Sequence, residues 1–306
     1  MLICHRLEEL SALGQELHLA LGVFDGVHLG HQAVIGAAVE AARRNGGLAG
    51  VLTFDPHPIQ VIAPDKAPAA LLETRDHKAR VVGGLGVELL IPLHFDPAMA
   101  AMEATEFIAR LTAAPVRTIA VGEDWRFGHQ RAGDVNLLRD EAETRGFRLD
   151  ALPPVMFEGD RISSTRIRQA IHDGNLDEAA SMLGRRYSVA GIVEKGQQLG
   201  RQLGFPTANV NTGKLQLPPD GVWAVRVLDA RGRRWNGVAN LGARPTVDGA
   251  KRLLEAHLFG FCSEIYGEKL EVCFENHLRS EIKFPSLEAL RLQISKDAQA
   301  ALKSLA

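Results

Sequence analysis

The sequence lacks any run of about 18 apolar residues, the length a membrane-spanning helix needs, so no transmembrane segment is predicted. It has only three cysteines, Cys4, Cys262 and Cys273, with no C-x-x-C pair and no even set. That excludes a disulfide framework and reads as reduced thiols in a cytoplasm. An excess of one charge is missing too: 35 basic residues face 37 acidic ones, for a net charge of −2. General attraction to nucleic acid or to an anionic membrane is thereby excluded. No internal repeat or low-complexity stretch occurs, and the opening M-L-I-C-H-R-L-E-E-L turns acidic too early for a signal peptide. What remains is ordinary globular material, 46% hydrophobic and 24% charged over 306 residues, which favours two domains with a core each.

The stretch from Leu17 to His31, L-H-L-A-L-G-V-F-D-G-V-H-L-G-H, organises the first half. Leu17, Leu19, Leu21 and Val23 alternate with small or polar residues, the chain turns at Gly22, Asp25 and Gly26, and an Ala-rich segment runs from Gln32 to Arg44. This reads as strand, tight loop, helix. A helix start offers unpaired N–H groups and partial positive charge, which suit phosphate. His28 and His31, three residues apart, would share a face there, and Gly30 removes a side chain that would hold a nucleotide away from the backbone. An isolated H-x-x-H pair is more often chance, and it is the strand before it that gives this one weight.

A second strand, Leu48 to Phe54, ends in D-P-H-P, and further strands are predicted at Val87–Leu93, Arg117–Val121 and Phe147–Leu152. Helices are predicted at Thr74–Leu85, Ala104–Leu111 and Asp134–Arg145. The βαβα alternation argues for a parallel, doubly wound sheet, whose ligands bind at the carboxyl ends of the strands. Two loops lie at such ends. One carries Phe54 and His57, and the other is G-E-D-W-R-F-G-H, with Asp124, Trp125 and Phe127. Trp125 reads equally as a stacking surface for a ring and as a core anchor. In I-S-S-T-R-I-R, Ser163, Ser164 and Thr165 place hydroxyls at a helix start and Arg168 follows one turn later.

The pattern breaks at Gly184-Arg185-Arg186, which places the domain boundary between 184 and 185. Beyond it come short strand-like runs at Tyr187–Val193, Val222–Leu228, Trp235–Leu241, Leu253–Leu258 and Lys269–Phe274, then a helix at Leu287–Leu305. This reads as a small antiparallel barrel or sandwich with a helix across it. In G-R-Q-L-G-F-P-T-A-N, Gly200 and Gly204 let backbone approach a phosphate, while Thr207 and Asn209 offer hard oxygens two apart, suited to Mg²⁺ beside phosphates. Glu255 is an acid inside the apolar L-L-E-A-H-L, where it is either solvent-facing or functional.

Taken together these motifs resemble the bacterial bifunctional riboflavin kinase/FAD synthetases. F-D-G-V-H-L-G-H-Q is similar to the nucleotidyltransferase H-x-G-H signature, I-S-S-T-R-I-R to its phosphate-binding partner, and G-R-Q-L-G-F-P-T-A-N to the flavokinase signature. The resemblance also covers G-V-A-N-L-G-A-R-P-T, residues 237–246. It implies a Rossmann-like FMN adenylyltransferase domain at 1–184 and a barrel-shaped riboflavin kinase domain at 185–306. It assigns His28 and His31 to catalysis of adenylyl transfer, and Gly22, Phe24, Gly30, Ser163, Ser164, Thr165, Arg168, Gly200 and Gly204 to ATP. Phe54, Asp124, Trp125, Phe127 and Arg279 fall to the flavin, Thr207 and Asn209 to Mg²⁺ held with ATP, and Glu255 becomes the base acting on the ribityl 5′-hydroxyl. Riboflavin, FMN and ATP are the implied ligands, with FAD as product. The chain departs from the family at Val23, where Asn is common, at Trp125 for Phe and at Trp223 for Tyr. These departures leave open a degenerate module. A flavin-binding protein without turnover is the other alternative, but it gives Glu255, Arg168 and the paired histidines no role.

Overall fold

The computed structural model of the chain describes residues 1–196, 198–246 and 249–306, without the side chains of 244–251. Six strands, β1 (Leu2–Ile3), β2 (Leu17–Leu21), β3 (Leu48–Asp55), β4 (Leu89–His94), β5 (Val116–Gly122) and β6 (Arg148–Leu152), form a sheet in the order β1-β4-β3-β2-β5-β6. Every neighbouring pair is parallel. The helices between them are α1 (Leu29–Asn45), α2 (Pro58–Ile62), α3 (Arg75–Gly84), α4 (Pro97–Ala100), α5 (Ala104–Leu111) and α6 (Val135–Arg145).

The strands feed two cores by strict alternation. Leu17, Leu19, Leu21, Leu52, Ile91 and Ile119 pack with Phe107, Ile108 and Leu111 of α5 and Leu138 of α6. Ala20, Val51, Leu90 and Ala120 face the other way, onto Val34, Ile35 and Ala38 of α1 and Val82 of α3. Helices on both faces make this the doubly wound sheet that the alternation predicts. Both faces are dry, so the polar residue of β2 is buried as well: His18 bonds Thr118 Oγ1 and the Gly46 carbonyl, each at 2.9 Å. β2 lies between β3 and β5, so its carboxyl end is the point where the strand order reverses, the place such folds use for ligands.

A short antiparallel pair, β7 (Met156–Phe157) and β8 (Asp160–Arg161), precedes α7 (Ser164–His172) and α8 (Leu176–Leu183). Then follow β9 (Ser188–Glu194), α9 (Leu199–Gln202), β10 (Ala208–Asn211), β11 (Gly221–Leu228), β12 (Arg234–Thr246), β13 (Gly249–Leu258), β14 (Lys269–Arg279) and α10 (Leu287–Leu305). The strands close into an antiparallel barrel in the order β10-β13-β12-β11-β14-β9. Closure resolves the barrel-or-sandwich alternative and removes the edges an open sheet would expose. The sixth strand, β10, begins on the last two residues of the glycine-rich motif and lies outside the predicted runs. Ala301 and Leu305 of α10 pack on Val222, Ala224 and Val238 of the barrel.

The chain divides into two compact units, 1–69 with 74–164, and 70–73 with 165–306. The four-residue segment 70–73 therefore belongs with the barrel. Leu71 forms a parallel bridge with Leu215, the Tyr187 hydroxyl donates to the Gln216 carbonyl at 2.6 Å, and Arg185 pairs with buried Glu73 at 3.6 Å.

Candidate active sites

The loop leaving β2 has an unusual backbone. Phe24 (φ 52°) and Val27 (φ 36°) both occupy the left-handed region without being glycine. Such residues cost of order 1–3 kcal/mol each and persist only where their surroundings hold them. Here Phe24 and Val27 are fully buried in the core beneath α1. The Phe24 ring folds back over Gly22, where a Cβ would lie 2.9 Å from Cζ. Gly22 therefore serves the ring of Phe24.

The loop ends on His28, the N-cap of α1, whose Nδ1 accepts from the His31 N–H at 3.3 Å. An accepting Nδ1 carries no proton, so neutral His28 holds its proton on Nε2. The His28 and His31 rings stack at 3.5 Å and 17°, and Phe24 meets His31 edge-on at 5.2 Å. The two imidazoles are thus one rigid pair at a helix N-terminus. Gly30 makes room within this pair: a Cβ there would sit 3.1 Å from Cε1 of His28. A side chain at position 30 would therefore press first on the His28 ring.

The neighbouring strand ends present the other predicted residues. Phe54, at the end of β3, meets Phe95 edge-on at 5.5 Å, and His57 caps α2 by accepting from Ile59 N–H. After β5, Trp125 stacks on Phe127 at 4.4 Å, and Phe127 is buried in the core. Asp124 pairs with Arg161. Arg126 ties the same loop to Asp134, the N-cap of α6, at 2.8 Å. The Asp134 carboxyl is held below its usual range by the Leu137 N–H and by Arg126. Trp125 is thereby an aromatic plate resting on a core anchor. Ser164 opens α7 and its hydroxyl donates to the Asp25 carbonyl at 2.8 Å. Thr165 is exposed and Arg168 follows one turn along the same helix.

On the barrel the decisive feature is a row. Asn209 pairs in register with Glu194 of β9 and Glu255 of β13, and Glu255 pairs with Asn240 of β12. Their strand neighbours Ala208, Val210, Leu254, Ala256, Ala239 and Leu241 are buried. Four polar side chains therefore share the outer face of four adjacent strands. Glu255 is half-buried there. Asn209 is 7% exposed, and its Oδ1 has no donor among the described residues. A buried carbonyl oxygen without a donor is costly, and a hard cation satisfies it. The residues present thus fit Mg²⁺.

The motif loop closes on glycines. A Cβ on Gly196 would lie 2.3 Å from the Asn209 amide, so that amide rests against bare backbone. A Cβ on Gly200 would meet the Phe205 carbonyl at 2.4 Å, and Thr207 lies just beyond it, immediately before β10. Gly204 (φ 88°) needs its freedom for the turn. Arg279, at the end of β14, is committed to Asp297 of α10 by bonds of 2.7 and 3.0 Å. Trp223 is buried and its indole N–H donates to the Pro219 carbonyl at 3.1 Å, so it leaves no bond unmade where the family has Tyr. The Cys273 thiol is pushed up to about 12 by burial and by Glu275 and Glu271, which disfavours the reactive thiolate. Sequence reasoning singled out neither Glu194 nor Asn240, because only strand register brings them beside Asn209 and Glu255; Gly196, in the loop after β9, comes against the Asn209 amide only in the fold.

Comparison with known proteins covers nearly the whole chain. The FAD synthetase family matches residues 11–166, and the riboflavin kinase (flavokinase) family matches residues 183–305. A bifunctional riboflavin kinase/FMN adenylyltransferase of Escherichia coli K12 is 40% identical over 91% of this chain and 90% of its own. One from Pseudomonas fluorescens is 41% identical over 92% of this chain and 90% of its own. A crystal structure described as a macrolide-efflux protein from Streptococcus pneumoniae shares the architecture over 98% of both chains, with a TM-score of 0.83 and 31% identity. Among the described residues no helix of this chain is long and apolar enough to cross a membrane. The chain belongs to the bifunctional riboflavin kinase/FMN adenylyltransferase family.

Proposed function

We propose that the barrel phosphorylates riboflavin and the parallel-sheet unit adenylylates the FMN so formed, each at the site described above. The observation that carries the reading is the in-register pair of Glu255 with Asn209, whose buried Oδ1 lacks a donor among the described residues. Glu255 takes the proton from the ribityl 5′-hydroxyl as that oxygen attacks the γ-phosphorus of ATP, and ADP leaves. Asn209 and Thr207 would hold Mg²⁺, which when bound neutralises phosphate charge. The turn through Gly200 and Gly204 carries the phosphates past the backbone, and Arg279, oriented by Asp297, stands on the flavin side.

In adenylyl transfer a phosphate oxygen of FMN attacks the α-phosphorus of a second ATP and pyrophosphate leaves. His28, with its proton on Nε2, and His31 donate to the charge that builds on that phosphate. Ser163, Ser164, Thr165 and Arg168 hold the phosphates, while Gly22, Phe24 and Gly30 shape the pocket through the histidine pair they support. Phe54, Asp124, Trp125 and Phe127 form the flavin side, with the Trp125 plate as stacking surface. Balanced charge and unpaired cysteines suit an enzyme working on small molecules in the cytoplasm.

Incubation with riboflavin, ATP and Mg²⁺, with separation of the flavins, tests the scheme. FMN and then FAD are expected, whereas a binding protein without turnover returns riboflavin unchanged. The proposed boundary between 184 and 185 has its own test: residues 186–306 alone should form FMN. That fragment lacks Leu71, Glu73 and Arg185, so it should also melt below the intact barrel.

A further inference from the structure

We propose that Lys78 is a positioning residue for adenylyl transfer, acting through the carbonyl of Val23. The inference rests on the reading of His28 and His31 above. Three alternate carbonyls of the β2–α1 loop are each held by a side-chain donor from another part of the unit. Gln32 Nε2 donates to Val27 O at 2.9 Å, Ser164 Oγ to Asp25 O at 2.8 Å, and both Lys78 Nζ and Thr53 Oγ1 to Val23 O at 2.8 Å. Lys78 Nζ also lies 3.5 Å from Thr53 Oγ1, so the threonine hydroxyl gives its proton to the carbonyl and faces the ammonium with a lone pair. Among the described residues the half-buried ammonium has no carboxylate partner. Such a placement is costly for a lysine unless its hydrogen bonds matter.

These donors bear on the strained part of the chain. Val23 precedes Phe24, and Val27 precedes His28; Phe24 and Val27 are the two residues with φ of 52° and 36°. Releasing the Val23 carbonyl lets Phe24 relax, and Phe24 supports the His31 ring, which stacks on His28. A loop carbonyl thus controls where the imidazole pair stands. Because the acceptor is backbone, Val at position 23 leaves this anchor intact where the family commonly has Asn.

The test is steady-state kinetics of FAD formation from supplied FMN and ATP by the full chain, with FMN formation from riboflavin as internal control. Lys78→Met should lower kcat for FAD on the order of 10–100-fold, as displaced catalytic groups do, with little change in KM for ATP. Thr53→Val should lower it less. The double variant should lose less than the product of the two, because both donors share one acceptor. Lys78→Arg, which can still donate, should recover part of the rate. A parental kcat in Lys78→Met overturns the proposal. So does a loss confined to KM for ATP, which would make Lys78 a phosphate contact, or an equal loss of FMN formation. A parent that makes no FAD overturns instead the reading of the histidine site.

Discussion

The two loops proposed to handle phosphate are built in opposite ways. The β2–α1 loop is buried, carries non-glycine residues with positive φ at Phe24 and Val27, and is held by side chains bonded to its carbonyls. The loop before β10 is largely exposed and closes on bare glycines at 196, 200 and 204. In the first, strain held by a core fixes two imidazoles at a helix start. In the second, the polar groups are placed by a strand ladder, and the loop need only stay out of their way. The difference teaches where each site is fragile: the first in its supports, the second in the functional side chains and the space beside them.

The sharpest break in that comparison is Glu255→Gln. It keeps the shape of the row but accepts no proton, so kcat for FMN formation should fall roughly 10²–10⁴-fold while FAD formation from supplied FMN is unchanged. Parental turnover of riboflavin would make Glu255 a structural residue. His28→Ala comes next. It removes a donor, the α1 cap and half of a ring stack, and should cost FAD formation on the order of 10²–10³-fold in kcat while FMN formation is kept. Equal loss of both rates would mark a folding defect and sink the assignment.

A pair of glycine substitutions sharpens the contrast further. Gly196→Ala drives a methyl into the Asn209 amide at 2.3 Å and should raise KM for Mg·ATP in the kinase reaction on the order of tenfold, as lost support of a metal ligand does. Gly30→Ala meets the His28 ring at 3.1 Å, where a shift of a few tenths of an ångström relieves it, so its effect on FAD formation should be smaller. If Gly30→Ala proves the more damaging of the two, the histidine pair has less room to yield than this contact implies.

Much of this was legible in the chain. α5 and α10 run over the same residues as predicted, and β3 extends one residue further, because apolar period and length settle such elements. β10 escaped because four residues, two of them asparagines, make no apolar run; only pairing with β9 and β13 makes them a strand. β1, only two residues on the sheet edge, is too short to show a period, and its pairing with β4 alone makes it a strand. At the sites, residue types were readable and their mutual support was not. That Arg279 is held by Asp297 and that Asn240 flanks Glu255 are consequences of tertiary register. Spacing along the chain carries no information about it.

The smallest effect expected concerns the barrel's own stability. The turn between β11 and β12 is organised by Asp229, which accepts from Arg231 N–H and Arg233 N–H at 2.9 Å, Arg233 Nε at 2.8 Å and Trp235 Nε1 at 3.1 Å. Burial alone would raise its pKa, but these donors outweigh burial and hold it at about 2. The ordinary carboxyl lies near 3.9. With the folded value depressed, the charge contributes fully above about pH 5, and the contribution is lost as pH falls toward about 2. Asp229→Asn keeps a carbonyl for two backbone donors but loses the charge, so it should destabilise the barrel by about 1–2 kcal/mol at neutral pH. Trp235, bonded to the carboxylate, reports on this turn by fluorescence during urea unfolding. The gap between parent and variant should close between pH 5 and about pH 2. A gap that stays constant across that range would mean that the hydrogen-bond geometry of the turn, and not its charge, is what stabilises it.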